Sequence, residues 1–348
     1  MMKSYSLSAL TRRDFLKLSG CGVLGLLLPK FLNENTSSEL ASDQQGRITD
    51  KLISVYETPS SESGSVKQYW RDLVVPITDV IISDDDKAYN RIWYRIGEEG
   101  YAYSGGIQPV RTVLNEPVMQ IPEKGALAEV SVPFADARCE ANQQAEFAFR
   151  LYFETTYWVD LAIDNETEQM AWYRIWDDKI PKSFFVPAKY LRIIPDEELA
   201  PLSPDVPDDE KTIEVRLAQQ LVIAYEGKTP VYAARAATGG RFRDGTFSTP
   251  IGHFQTYYKR PSRHMAAGDI TSNGYDLPGV PWVCYFTKNG LSLHGTYWHN
   301  DYGHPRSHGC INLTPQAAKW FFRWTLPTVP ANEMYAYEHY GTSLVVIE

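Results

Sequence analysis

The sequence is short of the features that would tie it to nucleic acid or carry it through a bilayer. Lys and Arg number 34 against 43 Asp and Glu, a net charge of −9, which argues against general binding to nucleic acid or anionic lipid. There is no basic arm, no glycine-rich phosphate loop and, after the N-terminus, no run of 18 apolar residues. Cysteine is scarce, with Cys21, Cys139, Cys284 and Cys310 alone in 348 residues. Past the N-terminal segment three remain, an odd number that points to a free thiol. A Cys139–Cys284 bridge is arithmetically open, but nothing in the sequence favours it. Histidine is scarce too, yet four of seven fall between His294 and Leu313, beside Cys310.

What is present describes a globular chain of two or three units, 43% hydrophobic and 22% charged. Aromatics at 13% suit β structure, whether as core packing or as the lining of peptide or carbohydrate grooves. At the N-terminus, Arg12-Arg13 precede Phe15-Leu16-Lys17 and an apolar run from Leu18 to Leu28. This order resembles a twin-arginine export signal over residues 1–32, with SSELAS (37–42) as the candidate cleavage site. It implies an extracytoplasmic protein, in the cell wall or at the outer face of the membrane, or in the periplasm where an outer membrane exists. Cys21 follows the arginines closely and stands near the start of the apolar run, with most of the apolar residues after it, which argues against lipidation.

Residues 33–65 are polar and read as a linker. From 66 to 200 short β-like runs alternate with Pro, Gly and Asp, and Trp-Tyr-Arg-Ile occurs twice, at 93–96 and 172–175. The echo predicts two small β-barrel modules in tandem, 66–122 and 123–200, or one duplicated sheet unit. They loosely resemble the bacterial SH3-like repeats found beside cell-wall enzymes, which either hold wall polymer or space and brace the enzyme. A proline-rich acidic connector, 201–211, leads to a last unit, 212–348. There, alternation predicts strands at 212–217, 219–225, 230–236, 253–260, 282–287, 291–294 and 342–347. Thr314 as cap and Pro315 in the first turn predict one helix. The fold class is therefore mainly β.

The stretch HGTYWHNDYGHPRSHGCINL admits three readings. His294, His299, His304, His308 and Cys310 could ligate zinc, but the paired spacings of such sites are absent. Read singly, His299 and His304 are surface loop residues. Read together, the residues suit a thiol nucleophile, which needs a base and backbone N–H donors for the oxyanion. Gly309 lets backbone approach a carbonyl at Cys310, and a strand ending at His294 can carry an imidazole back toward it.

This pattern closely resembles the signature of the L,D-transpeptidases, the YkuD-type peptidoglycan enzymes. His294-Gly295-Thr296, Ser307-His308-Gly309-Cys310, Ile311 and Asn312 fill it, with Thr238-Gly239 and Thr249-Pro250, Gly252 and Phe254 upstream. RPSRHM (260–265) and YDLPGVPW (275–282) resemble a subgroup's substrate-side segment. The resemblance implies a β-sandwich-like catalytic domain with the cysteine on a loop near the helix. It makes Cys310 the nucleophile, His294 its base, the Gly295 carbonyl the orienter of the imidazole, and the Gly309 and Cys310 N–H groups the oxyanion hole. His308 shapes that loop. Tyr297, Trp298, Ser307 and Asn312 go to the substrate side, Asn312 also bracing the turn, although wall packing would equally account for Tyr297 and Trp298.

The implied partners are donor and acceptor peptidoglycan stem peptides, with no metal or organic cofactor and no nucleic acid. The implied reaction is a thioester on the third stem residue, loss of D-Ala, and a 3→3 cross-link. Hydrolysis (an L,D-carboxypeptidase) and attachment of a protein to the wall use the same nucleophile. A non-catalytic wall-binding protein is the reading from another class, and the complete signature argues against it.

Overall fold

The computed structural model describes residues 44–348 except 270, 272 and 273, and the chain is mainly β. The expected export signal and the start of the expected linker lie outside the described residues. The remainder of that linker requires correction, because Gln45–Ile48 and Leu52–Tyr56 are strands. Their polar neighbours hide a few decisive apolar positions: Ile48, Ile53 and Val55 are buried in one core with Val75, Ile77, Ile96 and Ile107. Burying each such side chain contributes about 1.5–3 kcal/mol, enough to draw a polar-looking segment into a sheet.

Two seven-stranded sheets follow one another, with strands from Gln45 to Val110 and from Ala126 to Ile193. Counting strands within each, both have the spatial order 3-2-6-5-4-1-7. The Trp-Tyr-Arg-Ile echo lies on the fifth strand of each, Ile92–Ile96 and Met170–Trp176. Its apolar members Tyr94, Ile96, Tyr173 and Ile175 are all buried. A 3-10 turn precedes the seventh strand in both, Ser104–Gly106 and Ala188–Tyr190.

The last unit packs two five-stranded sheets and one helix. One sheet is ordered Thr229–Arg235, Leu221–Glu226, Lys211–Arg216, Ser343–Ile347, Gly252–Gln255. The other is ordered Ile311–Leu313, Ser292–Gly295, Tyr275–Tyr285, Tyr258–Ala267, Ala336–Tyr337. Lys211–Arg216 buries every second side chain, as a half-buried strand should, and its Ile213 and Val215 share a core with Leu293, Ile311 and Phe321. Leu127 and Trp158 of the second module join that same core.

The single strand expected over 253–260 is instead two, one in each sheet. The chain crosses between them at Thr256, whose buried hydroxyl donates to Leu326 O and accepts from Thr342 N–H. The helix Pro315–Trp324 starts as expected, the Thr314 hydroxyl accepting from Ala317 N–H at 3.2 Å. At its other end two lysines meet the orphan carbonyls: Lys259 reaches Phe322 O and Thr325 O, and Lys211 reaches Trp324 O. Cations there also suit the helix dipole. Among the described residues no helix is long and apolar enough to cross a membrane.

Candidate active site

His294 and Cys310 come from neighbouring parallel strands. Ser292–Gly295 pairs with Ile311–Leu313 so that Leu293 faces Ile311 and His294 faces Asn312. Cys310 stands just before its strand, level with Ser292. Both side chains open onto one cleft of about 880 Å³.

The imidazole is 2% exposed, and its Nδ1–H donates to Gly295 O at 3.0 Å. That bond fixes the tautomer and leaves Nε2 unprotonated. Burial pushes the His294 pKa down to about 4, against the opposing pull of the Gly295 carbonyl, so the ring is neutral at physiological pH. Cys310 is partly exposed, and its Sγ lies 3.9 Å from Gly290 O and 3.8 Å from the Ser292 hydroxyl. Burial raises its thiol pKa, with Ser292 pulling the other way. No hydrogen bond joins Sγ to the imidazole among the described residues. The resting pair is therefore a neutral thiol beside a neutral base, aligned by the sheet. Ser292, fully buried, is a neighbour of the thiol that the sequence reading missed; only the strand register could have revealed it.

The cysteine loop is built by the residues upstream. Thr249 Oγ1 accepts from Gly239 N–H and donates to Gly309 O, both at 2.8 Å. Thr238 O accepts the N–H groups of Arg306 and Ser307, and Gly240 N–H donates to Ser307 O. The two Thr-Gly and Thr-Pro segments thus hold the loop from behind. Gly309 has φ +132°, and a Cβ there would lie 2.9 Å from Leu291 Cδ2 and 3.2 Å from Ser248 O, which leaves glycine as the residue that fits.

Three expectations change. Gly309 N–H donates to Ser307 Oγ at 3.0 Å, so it is not open to an oxyanion, whereas Cys310 N–H has no partner among the described residues. The Ser307 hydroxyl also donates to Cys310 O at 2.5 Å; it shapes the loop and is not free for substrate. Asn312 is 3% exposed on the cleft wall, with its amide against His299 Nε2 at 2.9 Å, bracing the neighbouring loop. His299 is no surface residue: it is buried, its Nδ1 accepts from Asp301 N–H, and burial pushes its pKa down to about 3. Among the described residues no group of histidine, cysteine and carboxylates could hold a metal, and all three described cysteines are free, Cys284 buried and Cys139 exposed.

Tyr297 and Trp298 line the cleft, Trp298 beside the imidazole at 5.6 Å between ring centroids. Tyr297 is nearly buried and packs as wall, its hydroxyl donating to Pro278 O. His308 is exposed on the cleft, facing Tyr275.

Both N-terminal modules reach this site. Arg47 of the first donates to Tyr297 O at 2.5 Å and to Gln108 and Asp72, and its guanidinium lies 4.1 Å over the ring of Tyr152 from the second. Tyr152 in turn stacks on Tyr297 at 5.2 Å. The loop 299–304 seats on the first module: Asn300 N–H donates to Gly105 O, the Asn300 amide to Tyr94 OH, and Tyr103 OH to Asp301 at 2.5 Å. His304 donates to Asp301 and stacks on Tyr89. Gly303, φ +106°, passes so close to Arg235 that a Cβ would meet Nη2 at 1.8 Å.

Comparison with known proteins now decides the segment. Residues 210–346 match the family model YkuD, the L,D-transpeptidase catalytic domain. The site just described lies within that matched stretch, hereafter the YkuD segment. Among solved structures, a mutant of the Enterococcus faecium L,D-transpeptidase is similar at 22% identity, covering 40% of this chain and 50% of that one, TM-score 0.31. L,D-transpeptidase 3 from Mycobacterium tuberculosis is similar at 17% identity, covering 56% of this chain and 92% of that one, TM-score 0.32. A third, from Stackebrandtia nassauensis, is 22% identical over 44% of this chain and 63% of that one, TM-score 0.28. The matched part of the chain spans about half the length of the Enterococcus faecium protein. No curated protein matches the chain.

Proposed function

We propose that the chain is a peptidoglycan L,D-transpeptidase working outside the membrane through Cys310. The observation that carries this reading is the cleft, where an imidazole with an open Nε2 on Ser292–Gly295 and a free thiol just before the parallel strand Ile311–Leu313 both line the wall. Cys310 Sγ attacks the carbonyl of the third stem residue while its proton passes to His294 Nε2. The Cys310 N–H faces the developing oxyanion. Collapse breaks the peptide bond, and the proton returns from the imidazole to the departing D-Ala amine. An amine from a second stem then attacks the thioester, restoring the thiol and forming a 3→3 link; water in its place makes the enzyme a carboxypeptidase. We read the two N-terminal sheets as SH3-like modules that brace this site.

With thiol and imidazole both neutral at rest, the nucleophile forms as the substrate is attacked, and the reaction requires only that pH exceed the imidazole pKa near 4. Intact-mass spectrometry with a carbapenem, alongside D-Ala release from a disaccharide tetrapeptide, tests the assignment. Imipenem is the natural probe, since a Mycobacterium tuberculosis transpeptidase is known in complex with it. Wild type should gain one adduct and release D-Ala; Cys310→Ala should do neither and melt within a few degrees of wild type. An adduct on Cys310→Ala, or none on wild type, refutes the reading.

A further inference from the structure

The cleft at Cys310 is not a feature of the YkuD segment alone. Its walls include Thr49, Asp50 and Arg71 from the first module, and Glu146, Phe147 and Arg150 from the second. These groups differ in how far the protein itself satisfies them. Arg150 is paired with Asp136 and Asp72. Arg71 is exposed, and its guanidinium has no hydrogen bond or ion pair among the described residues. Thr49 is 4% exposed and its Oγ1 has no hydrogen-bond partner among the described residues, an unsatisfied buried group. Two module residues on one wall thus lack partners, one a cation and one a buried hydroxyl, with the carboxylates of Asp50 and Glu146 also lining the cleft.

We infer that this module-built part of the cleft is a subsite for the acceptor peptide, a stem carrying a free carboxylate and the amine that resolves the thioester. The inference rests on the reading of Cys310 given above. The donor carbonyl must reach Sγ among Trp298, Tyr297 and His308, all of the YkuD segment, and a second peptide needs a second wall. Arg71 takes the acceptor carboxylate in a charge-assisted hydrogen bond. Asp50 and Glu146 draw in the ammonium. After losing one proton to solvent, the amine attacks the thioester carbonyl; the C–S bond breaks, an amide forms, and the second amine proton passes through His294 to Sγ.

The test uses the full chain. Calorimetric titration of Cys310→Ala, with and without Arg71→Glu, would compare a disaccharide tetrapeptide with its carboxyl-amidated form. Amidation should weaken binding about tenfold when Arg71 is present and less than twofold in Arg71→Glu, with Arg71→Lys restoring most of the discrimination. Equal sensitivity to amidation in both proteins, or none in either, overturns the subsite whatever the chemistry at Cys310. Transfer kinetics on the wild-type cysteine then separate the two claims. Absence of a carbapenem adduct refutes the nucleophile, whereas an adduct followed by hydrolysis alone, at saturating acceptor, refutes the acceptor subsite.

Discussion

The two N-terminal modules share one strand order and grip a chain segment in the same way, yet each grips a different segment. In the first, Gly105 O accepts the backbone N–H of Asn300 and Tyr94 OH accepts from the Asn300 amide. In the second, the equivalent turn offers Lys189 O to the backbone N–H of Asn115, and the equivalent tyrosine, Tyr173, accepts from Val118 N–H at 2.6 Å. The first module therefore holds the loop behind the active site, and the second holds the chain that joins the modules. The second reaches the YkuD segment by another surface, through Leu127 and Trp158 in the core and Asp177 against His264. The shared strand order presents the same clamp twice, and the segment seated in it decides what each copy does.

The largest break in this arrangement should come at Arg47. Arg47→Ala removes a buried cation and leaves Gln108 Oε1 and the Tyr297 carbonyl without their donor, while Asp72 keeps Arg150, a loss of about 1–3 kcal/mol by the usual cost of an unsatisfied buried polar group. Denaturant titration should show it, and turnover should fall with it because Tyr297 loses its anchor. A loss below about 1 kcal/mol would mean that the three-way junction is not a structural centre.

The comparison sharpens at the paired tyrosines. Tyr94→Phe and Tyr173→Phe each delete one hydrogen bond, worth about 0.5–1.5 kcal/mol. Both should lower stability by similar amounts, but only Tyr94→Phe should slow acylation of Cys310, since only Asn300 sits on the site loop. Equal kinetic effects from the two would erase the distinction between the modules.

The smallest effect is one of pH. Burial alone would lower the His264 pKa, but Asp177 and Asp276, bonded to its two ring nitrogens at 2.6 and 2.8 Å, raise it above 6.5. Both nitrogens donate, so the ring is charged. Lys179, Arg263 and Asp178 complete its charged surroundings. Because the folded value is the higher one, the stabilisation is complete below pH 6.5 and disappears as pH rises through the folded pKa. The melting temperature should fall by about 2 °C as pH rises through that window, and the fall should vanish in His264→Asn. A wild-type melting temperature that stays level there would count against the charged latch.

Which of these features could be read beforehand follows from how local they are. The His294 and Cys310 motif, the helix cap at Thr314 and the alternating Lys211–Arg216 strand are each written in a few adjacent residues. The repeat was legible from four letters, Trp-Tyr-Arg-Ile, that land on matching strands. Its first two strands were not, since Arg47 and Gln44 are buried polar residues whose partners lie 61 and 66 positions away. The roles of Ser307 and His299 were misjudged for the same reason. Each hydroxyl or ring is taken up by a neighbour that only the folded loop brings near.

Parallel pairing of Ser292–Gly295 with Ile311–Leu313 makes the sheet ladder the ruler between base and nucleophile. A slip of one residue would turn Cys310 to the opposite face, whereas the crossover from Thr296 to Gly309 lies outside the ladder. That crossover is the portion of the motif whose length evolution can vary while the spacing of the reacting pair stays the same.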